Sequence, residues 1–241
     1  MIDISNVSKS FSSGTKAVEK LNLTIQDGMI FGFLGPNGAG KSTTIKMLTG
    51  VLPIDEGTIT INGFNIADHP IEAKKSFGYV PDSPDLFLRL KGIEYLNFIG
   101  DVYEVPLEAR KEKIEYLTKE FGIYEALNDT IQTYSHGMRQ KIIVSGVLLH
   151  DPDVWILDEP LTGLDPKSSY TLKEMMREHA RKGKTVFFST HVLEVVEQLC
   201  DQVAIINKGK LEFNGNMQEM REQFESDGSL EQIFLELTKH E

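Results

Sequence analysis

The chain has 241 residues, of which 25 are Lys or Arg and 36 are Asp or Glu, so its formal net charge is −11. This length can bury a large core, and the negative charge argues against nucleic acid as a main partner. The single cysteine excludes an internal disulfide, and the longest segment without charged side chains, residues 28–40, is too short to span a bilayer, so we expect any membrane role to come through a partner.

The first elements predicted along the chain are short strands at residues 2–7, 17–25, 30–34 and 58–61, separated by turn signals such as Asn62-Gly63. Helical spacing follows at residues 91–102, 107–121 and 136–149. Strands return at 154–157, 185–189 and 203–207 with helices between them, which indicates a mostly parallel sheet. Near the end, Leu230, Ile233, Phe234 and Leu237 are spaced as one helix face, which we expect to pack on the domain or on a partner.

A glycine-rich run between the strand at 30–34 and a helix-forming segment fits the pattern G-x-x-x-x-G-K-[ST]. Glycines let successive backbone N–H groups point at one anion, and the following helix adds the positive end of its dipole. We predict that Lys41 reaches the β- and γ-phosphates of a nucleoside triphosphate and that the Ser42 hydroxyl ligates Mg²⁺. The residues predicted to bind nucleotide here are Gly35, Pro36, Asn37, Gly38, Ala39, Gly40, Lys41, Ser42 and Thr43.

Two further apolar strands end in polar residues. The strand at 154–157 leads into Asp158 and Glu159, and the one at 185–190 leads into His191. Beside a phosphate loop, Asp158 is predicted to hold Mg²⁺ and Glu159 to polarise the attacking water. His191 is predicted to hydrogen-bond a γ-phosphate. At strand ends such residues are often only solvated or capping groups. The roles assigned to them here therefore depend on the presence of the phosphate loop.

The start of the helix at 136–149 permits two interpretations. Ser135 fits an N-cap residue, which is a structural role. A capped helix start with Gly137 exposed is also an anion site, because its N–H groups and dipole attract negative charge. Both interpretations share one geometry.

The ordered motifs resemble those of the ATP-binding-cassette (ABC) transporter ATPases, up to about residue 215. The resemblance implies that residues 35–43 are the Walker A loop, 154–159 the Walker B strand with a catalytic glutamate, and 161–165 the D-loop. It implies that Lys41, Glu159 and His191 are catalytic and that residues 134–138 occupy the place of the signature L-S-G-G-Q. Phe11 occupies the place of the aromatic residue that stacks on adenine.

The fold expected from these patterns is α/β: a phosphate-loop NTPase core, with a mostly parallel sheet and an antiparallel β subdomain, plus an inserted helical subdomain. The predicted core comprises residues 1–84 and 152–215, the helical subdomain residues 85–151, and a C-terminal helical tail residues 216–241.

The resemblance also implies a mechanism. Two cassettes, identical or paralogous, would pair head to tail around ATP and Mg²⁺, with Ser135 and the Gly137 backbone serving the partner's γ-phosphate. Hydrolysis would separate the pair, and an integral membrane permease would convert closing and opening into transport. The protein would thus lie in the cytoplasm, on the inner face of the cell membrane.

Two departures from the family pattern stand out. His136 and Met138 replace a Gly and the Gln of the signature, and similar variants occur in bacterial drug and antibiotic exporters, which favours export. Asp82 replaces the usual Gln of the Q-loop at residues 78–82, where a carboxylate adds negative charge near the triphosphate or binds Mg²⁺ through water. Residues 83–90 are predicted to contact the permease.

Two other functions fit part of the pattern. A soluble cassette ATPase could act as a regulator without transport, although such relatives usually carry two cassettes in one chain. A small kinase uses the same phosphate loop, but it leaves the carboxylate pair, the signature region and His191 unexplained together.

Overall fold

The computed structural model describes residues 1–11, 14–224 and 230–238. The strands are β1 (Ile2–Ser10), β2 (Lys16–Ile25), β3 (Ile30–Leu34), β4 (Glu56–Ile61), β5 (Phe64–Asn65), β6 (Phe77–Val80), β7 (Val154–Asp158), β8 (Thr185–Thr190), β9 (Gln202–Asn207) and β10 (Lys210–Gly215). The α-helices are α1 (Lys41–Leu48), α2 (Pro70–Ser76), α3 (Gly92–Val102), α4 (Leu107–Glu120), α5 (His136–Leu149), α6 (Pro166–Arg181), α7 (Leu193–Leu199), α8 (Met217–Gln223) and α9 (Leu230–Thr238).

Two sheets organise the described part of the chain. The larger has the order β10-β9-β3-β8-β7-β6, and its strands pair in parallel except for β10, which is antiparallel to β9. The smaller sheet, β2-β1-β4-β5, is antiparallel. The predicted combination of a mostly parallel sheet, an antiparallel sheet and helices is confirmed.

The parallel sheet brings the ends of β3, β8 and β7 to one edge. Leu34 pairs with Thr190, and Ser189 pairs with Asp158, so β8 lies between the two strands that precede the predicted nucleotide-binding motifs. Ligands of parallel α/β sheets bind outside the carboxyl ends of the strands. The loops that follow these three strands therefore begin next to each other.

The two faces of the parallel sheet are buried against different layers. Phe31, Phe33 and Phe187 pack with the antiparallel sheet and α1. Trp155 and Phe188 belong to a second cluster, shared with α3, α4, α5 and α6. Burial of each such side chain stabilises the fold by about 1.5–3 kcal/mol, so the packing of both layers on the sheet is stable. The helical insertion is thereby fixed beside the strands that carry the site.

The last helices pack on the same domain. Leu230 and Ile233 of α9 are buried against Val203 and Ile205 of β9, and the Asn207 side-chain amide donates to the Leu237 carbonyl at 3.1 Å. Of the two placements expected for this helix face, packing on the domain is the one observed. Among the described residues, no helix combines the length and the apolar character needed to cross a bilayer.

Candidate functional site

The loop between β3 and α1 requires glycine at two positions. Gly40 has a φ of 111°, and a Cβ atom there would lie 2.5 Å from the Ala17 carbonyl oxygen. A Cβ atom at Gly35 would lie 2.3 Å from the Ile206 carbonyl oxygen. Both contacts are too short for any side chain, so the loop passes directly against β2 and β9.

The start of α1 suits an anion. Its N-cap residue, Gly40, makes no side-chain capping hydrogen bond, which leaves the first N–H groups of the helix available. The Lys41 side chain is only 7% exposed, and its Nζ donates to the carbonyl oxygens of Gly35 at 2.7 Å and Pro36 at 3.2 Å. A cation and uncapped backbone donors thus converge at this loop.

A cleft of about 620 Å³ opens at the loop, a volume suited to a nucleotide-sized ligand. The predicted site residues that line the cleft are Phe11, Pro36, Asn37, Gly38, Gly40, Lys41, Ser42, Thr43, Asp82, Glu159 and His191. Gly35, Ala39 and Asp158 are buried and do not line it. Thr162 of the predicted D-loop also lines the cleft, and the lining residues to which the sequence assigned no role in the site are Thr15, Lys16, Ala17 and Lys208.

Asp158 is buried at the end of β7 and is 1% exposed. Its Oδ1 accepts a hydrogen bond from the Ser189 hydroxyl at 2.5 Å, and the Ser42 side chain also hydrogen-bonds this carboxyl group. Burial raises the pKa of Asp158, and both hydrogen bonds oppose that rise. Ser42 and Asp158, two of the three residues predicted to bind Mg²⁺, are therefore in contact.

Glu159 links three predicted site residues. Its Oε2 lies 3.0 Å from Nδ1 of His191, and its Oε1 lies 4.0 Å from Nζ of Lys41. Burial lowers the pKa of Lys41, while the nearby charges of Glu159, Asp158 and Asp82, in decreasing order, act to raise it. The candidate general base, the histidine and the phosphate-loop lysine meet at one end of the cleft.

The donors present suit Mg²⁺. The Asp158 carboxylate and the Ser42 hydroxyl are hard oxygen ligands. Within residues 1–11, 14–224 and 230–238, no cluster of three or more His, Cys, Asp or Glu side chains could hold a metal by itself. Mg²⁺ usually relies on one or two protein oxygens together with substrate phosphates and water, so this donor set fits it.

The signature region lies away from the cleft lining. The Ser135 hydroxyl caps α5, as predicted, by accepting from the Met138 N–H at 3.3 Å. A Cβ atom at Gly137 would lie 2.6 Å from the Gly163 carbonyl oxygen, so the helix start rests against the loop that follows Glu159. Neither Ser135 nor Gly137 lines the cleft of its own chain.

Two side-chain contacts join α5 to that loop, and the sequence did not reveal them. Lys141 Nζ lies 2.6 Å from Oδ2 of Asp165, and the Gln140 side-chain amide donates to the Pro160 carbonyl at 3.4 Å. Asp165 also accepts hydrogen bonds from Ser168. The contact with Lys141 has the largest effect, and together these contacts hold the pKa of the Asp165 carboxyl well below the ordinary range. The start of α5 and the loop at 160–165 therefore form one connected unit.

The chain is similar to known proteins both in sequence and in fold. A family model described as "ABC transporter" matches residues 18–162. The chain is 36% identical over 239 residues to the ABC transporter ATP-binding protein NatA of Bacillus subtilis (strain 168), covering 98% of this chain and 97% of that relative. It is also 36% identical over 211 residues to the linearmycin resistance ATP-binding protein LnrL of the same organism, covering 88% of this chain and 68% of LnrL. A solved structure titled "Structure of ATP binding subunit of ABC transporter" superposes with a TM-score of 0.93 at 31% identity, covering 98% of this chain and 99% of that one.

Proposed function

The chain belongs to the ABC transporter family as an ATP-binding subunit with ATPase activity, and on that premise we propose that it powers transport through separately encoded membrane subunits. The observation that carries the proposal is the convergence of Lys41, Glu159 and His191 at the phosphate loop. A kinase or an unrelated phosphate-binding protein would not need this arrangement together with a separate signature helix.

We propose the following roles in ATP hydrolysis. Phe11 stacks on the adenine ring, and the loop at 35–43 holds the phosphates, with Lys41 at the β- and γ-phosphates. Glu159 accepts the proton of the attacking water, and His191 holds Glu159 and donates to the γ-phosphate. These roles are supported by the positions of the four side chains along one cleft.

Mg²⁺ would be held by Ser42 and Asp158, with Asp82 contacting it through water. The ion supplies charge stabilisation to the transferred phosphate when bound. The contact between the Ser42 and Asp158 side chains supports this assignment, and so does the place of Asp82 in the cleft lining.

We propose that the working form is a head-to-tail dimer with a second cassette, either a copy of this chain or a paralogue. Ser135 and Gly137 would then complete the partner's site by contacting its γ-phosphate. Support comes from the exposure of Ser135 at the start of a long helix, together with its absence from the cleft of its own chain. We predict a core (1–84 and 152–215), a helical subdomain (85–151) and a tail (216–241). In this division the phosphate loop belongs to the core, and Ser135 and Gly137 belong to the helical subdomain.

The permease contact is proposed at residues 83–90 and the adjoining face of α3. Leu86, Phe87, Phe98 and Val102 are exposed by 42–52% of their surface, and the Phe87 ring packs 5.7 Å from the Phe98 ring. Leu86 and Phe87 also line a groove of about 260 Å³. Exposed apolar clusters of this kind favour protein interaction, here with an apolar cytoplasmic segment of the membrane subunit.

Export is the direction we propose, and the place of action is the cytoplasmic face of the cell membrane. Support comes from His136 and Met138 at the signature positions and from the similarity to LnrL, a linearmycin resistance protein. The membrane association would come through the permease.

The test is isolation of the protein from its native membranes. We expect a polytopic membrane protein to co-purify, and Phe87→Ser to remove it while ATP binding persists. Tyr116→Ser provides a matched control, because Tyr116 is an exposed aromatic residue of α4 outside the proposed surface. A soluble complex that contains no polytopic protein would instead support the regulatory cassette.

A further inference from the structure

Ser189 hydrogen-bonds to the side chain of Asp158 and to the backbone of Glu159, two carboxylate residues of the site. We infer that Ser189 is a positioning residue for the ATPase reaction, because its hydroxyl group orients Asp158 toward the metal and fixes the backbone of Glu159. This inference rests on the proposed function of the site. The sequence places Ser189 in an apolar strand and gives no sign of such a role.

The register of the parallel sheet creates the contact. Ser189 of β8 pairs directly with Asp158 of β7, and its side chain is fully buried. The Ser189 Oγ donates to Oδ1 of Asp158 at 2.5 Å and accepts from the Glu159 N–H at 3.0 Å. A hydroxyl group has one donor and two acceptor positions, so both bonds form at the same time.

The bond to Asp158 fixes one carboxylate oxygen. A buried carboxylate without this donor could rotate, and its oxygens would then lose the defined direction that a metal site needs. The Ser42 side chain also contacts Asp158, so the serine of the phosphate loop and the serine of β8 hold the same carboxyl group. Partners of this kind typically change metal affinity 10- to 100-fold when they are removed.

The bond to Glu159 stabilises an uncommon backbone. Glu159 has a φ of 48°, in the left-handed region that disfavours residues with a side chain. In this conformation its carboxylate reaches His191 at 3.0 Å and Lys41 at 4.0 Å. Loss of the Ser189 acceptor would leave the Glu159 N–H without its partner and let the chain relax, which would move the carboxylate.

Ser145 offers a matched control for the alternative that Ser189 is only a satisfied core residue. It is also fully buried, and its hydroxyl donates to the Lys141 carbonyl at 2.8 Å within α5. Its bond is local to the helix and contacts neither carboxylate. Removing either hydroxyl deletes a buried hydrogen bond. Only the loss of the Ser189 hydroxyl affects Asp158, the proposed metal ligand, and Glu159, the proposed base.

The experiment compares wild type, Ser189→Ala, Ser189→Thr and Ser145→Ala. Mn²⁺ is titrated into each protein with saturating AMP-PNP and followed by electron paramagnetic resonance, and AMP-PNP affinity is measured separately in EDTA. For Ser189→Ala we expect Mn²⁺ affinity to fall about 10- to 100-fold and kcat to fall at least about 10-fold, with metal-free AMP-PNP affinity nearly unchanged. Ser189→Thr retains the hydroxyl and should restore Mn²⁺ affinity, whereas Ser145→Ala should match wild type.

Different outcomes would overturn the role of Ser189 and the proposed function of the site. Unchanged Mn²⁺ affinity and kcat in Ser189→Ala would overturn the inference while the wild type still binds Mn²⁺ and AMP-PNP. Equal losses in Ser189→Ala and Ser145→Ala would also overturn it, because they would indicate general damage to the fold. A wild type that binds neither AMP-PNP nor Mn²⁺ would overturn the proposed function itself.

Discussion

Nδ1 of His191 lies 3.0 Å from Oε2 of Glu159, and the same carboxylate lies 4.0 Å from Nζ of Lys41. These contacts hold the proposed general base between two groups that we propose to bind the γ-phosphate. The Glu159 carboxylate is therefore positioned by the same groups that we propose to bind the nucleotide.

Replacing His191 with alanine should separate hydrolysis from binding. Because the imidazole holds Glu159 and contacts the γ-phosphate, phosphate release should slow by about 100-fold, within the range for groups that assist proton transfer. The affinity for a fluorescent ATP analogue should stay within about threefold of wild type, since the phosphate loop and Phe11 are untouched. Wild-type rates of phosphate release in His191→Ala would contradict the assigned role.

Phe11 provides the second prediction. The residue is 44% exposed and lines the cleft, so stacking of its ring on a base would cover an apolar surface. Phe11→Ala should weaken ATP binding by about 10-fold, consistent with a stacking contribution of roughly 1–3 kcal/mol per base. GTP binding should weaken equally, because a ring face does not distinguish the purines. Isothermal titration calorimetry with ATP and GTP measures both affinities, and Phe11→Tyr is the control because it keeps the aromatic ring.

Asp82 provides the third prediction. Its negative charge acts on Lys41 and contributes to the raised pKa of Asp158, so it also repels a metal-free triphosphate. Asp82→Asn should tighten ATP binding in EDTA by about fivefold, the size of one solvent-screened charge contact of roughly 1 kcal/mol. The Mg²⁺ concentration for half-maximal hydrolysis should rise. If both quantities match wild type, Asp82 has no part in the metal and phosphate site.

Elements with strong local signals were predictable from the sequence. The strand, glycine loop and helix around residues 30–48 follow from short-range residue patterns, and the structure contains them. The helices α3, α4 and α5 show clear helical spacing and lie where it predicts them.

Other elements were missed because their stability comes from tertiary pairing. β6 has four residues and exists through its pairing with β7. β10 lies at an antiparallel edge, and its alternation of polar and apolar residues is short, with only Leu211 and Phe213 as apolar side chains. Ser189 was missed for the same reason: its contact with Asp158 depends on the register of two strands about 30 residues apart in the chain, which no local pattern encodes.

A buried histidine provides the fourth prediction, on stability. The His179 ring stacks on Trp155 with ring centroids 4.0 Å apart, and burial lowers its pKa from 6.5 to about 4. The unfolded chain therefore binds a proton near pH 6.5 that the folded protein does not bind until about pH 4. The contribution of His179 is complete above pH 6.5 and is lost as the pH falls, by about 2 kcal/mol at pH 5.

His179→Phe, which keeps an aromatic ring beside Trp155, should remove that part of the pH dependence. Urea unfolding at pH 7.5 and pH 5, followed by the fluorescence of the single tryptophan, measures it. His150, which stacks on Tyr103 and also has a pKa lowered by burial to about 4, should supply a similar loss that persists in the variant. An identical pH dependence in wild type and His179→Phe would contradict the assignment.

In the proposed mechanism, two protomers enclose the nucleotide and Glu159 activates the attacking water. The most direct measurement is light scattering of Glu159→Gln with Mg·ATP, together with a count of bound nucleotides. We expect almost no hydrolysis and a stable dimer containing two ATP molecules. Adding Ser135→Ala should weaken that dimer more than adding Ser135→Thr, which keeps the hydroxyl and the helix cap. The proposed mechanism would be contradicted by a Glu159→Gln protein that stays monomeric with ATP bound even when its membrane subunit is present, or that hydrolyses ATP at the wild-type rate.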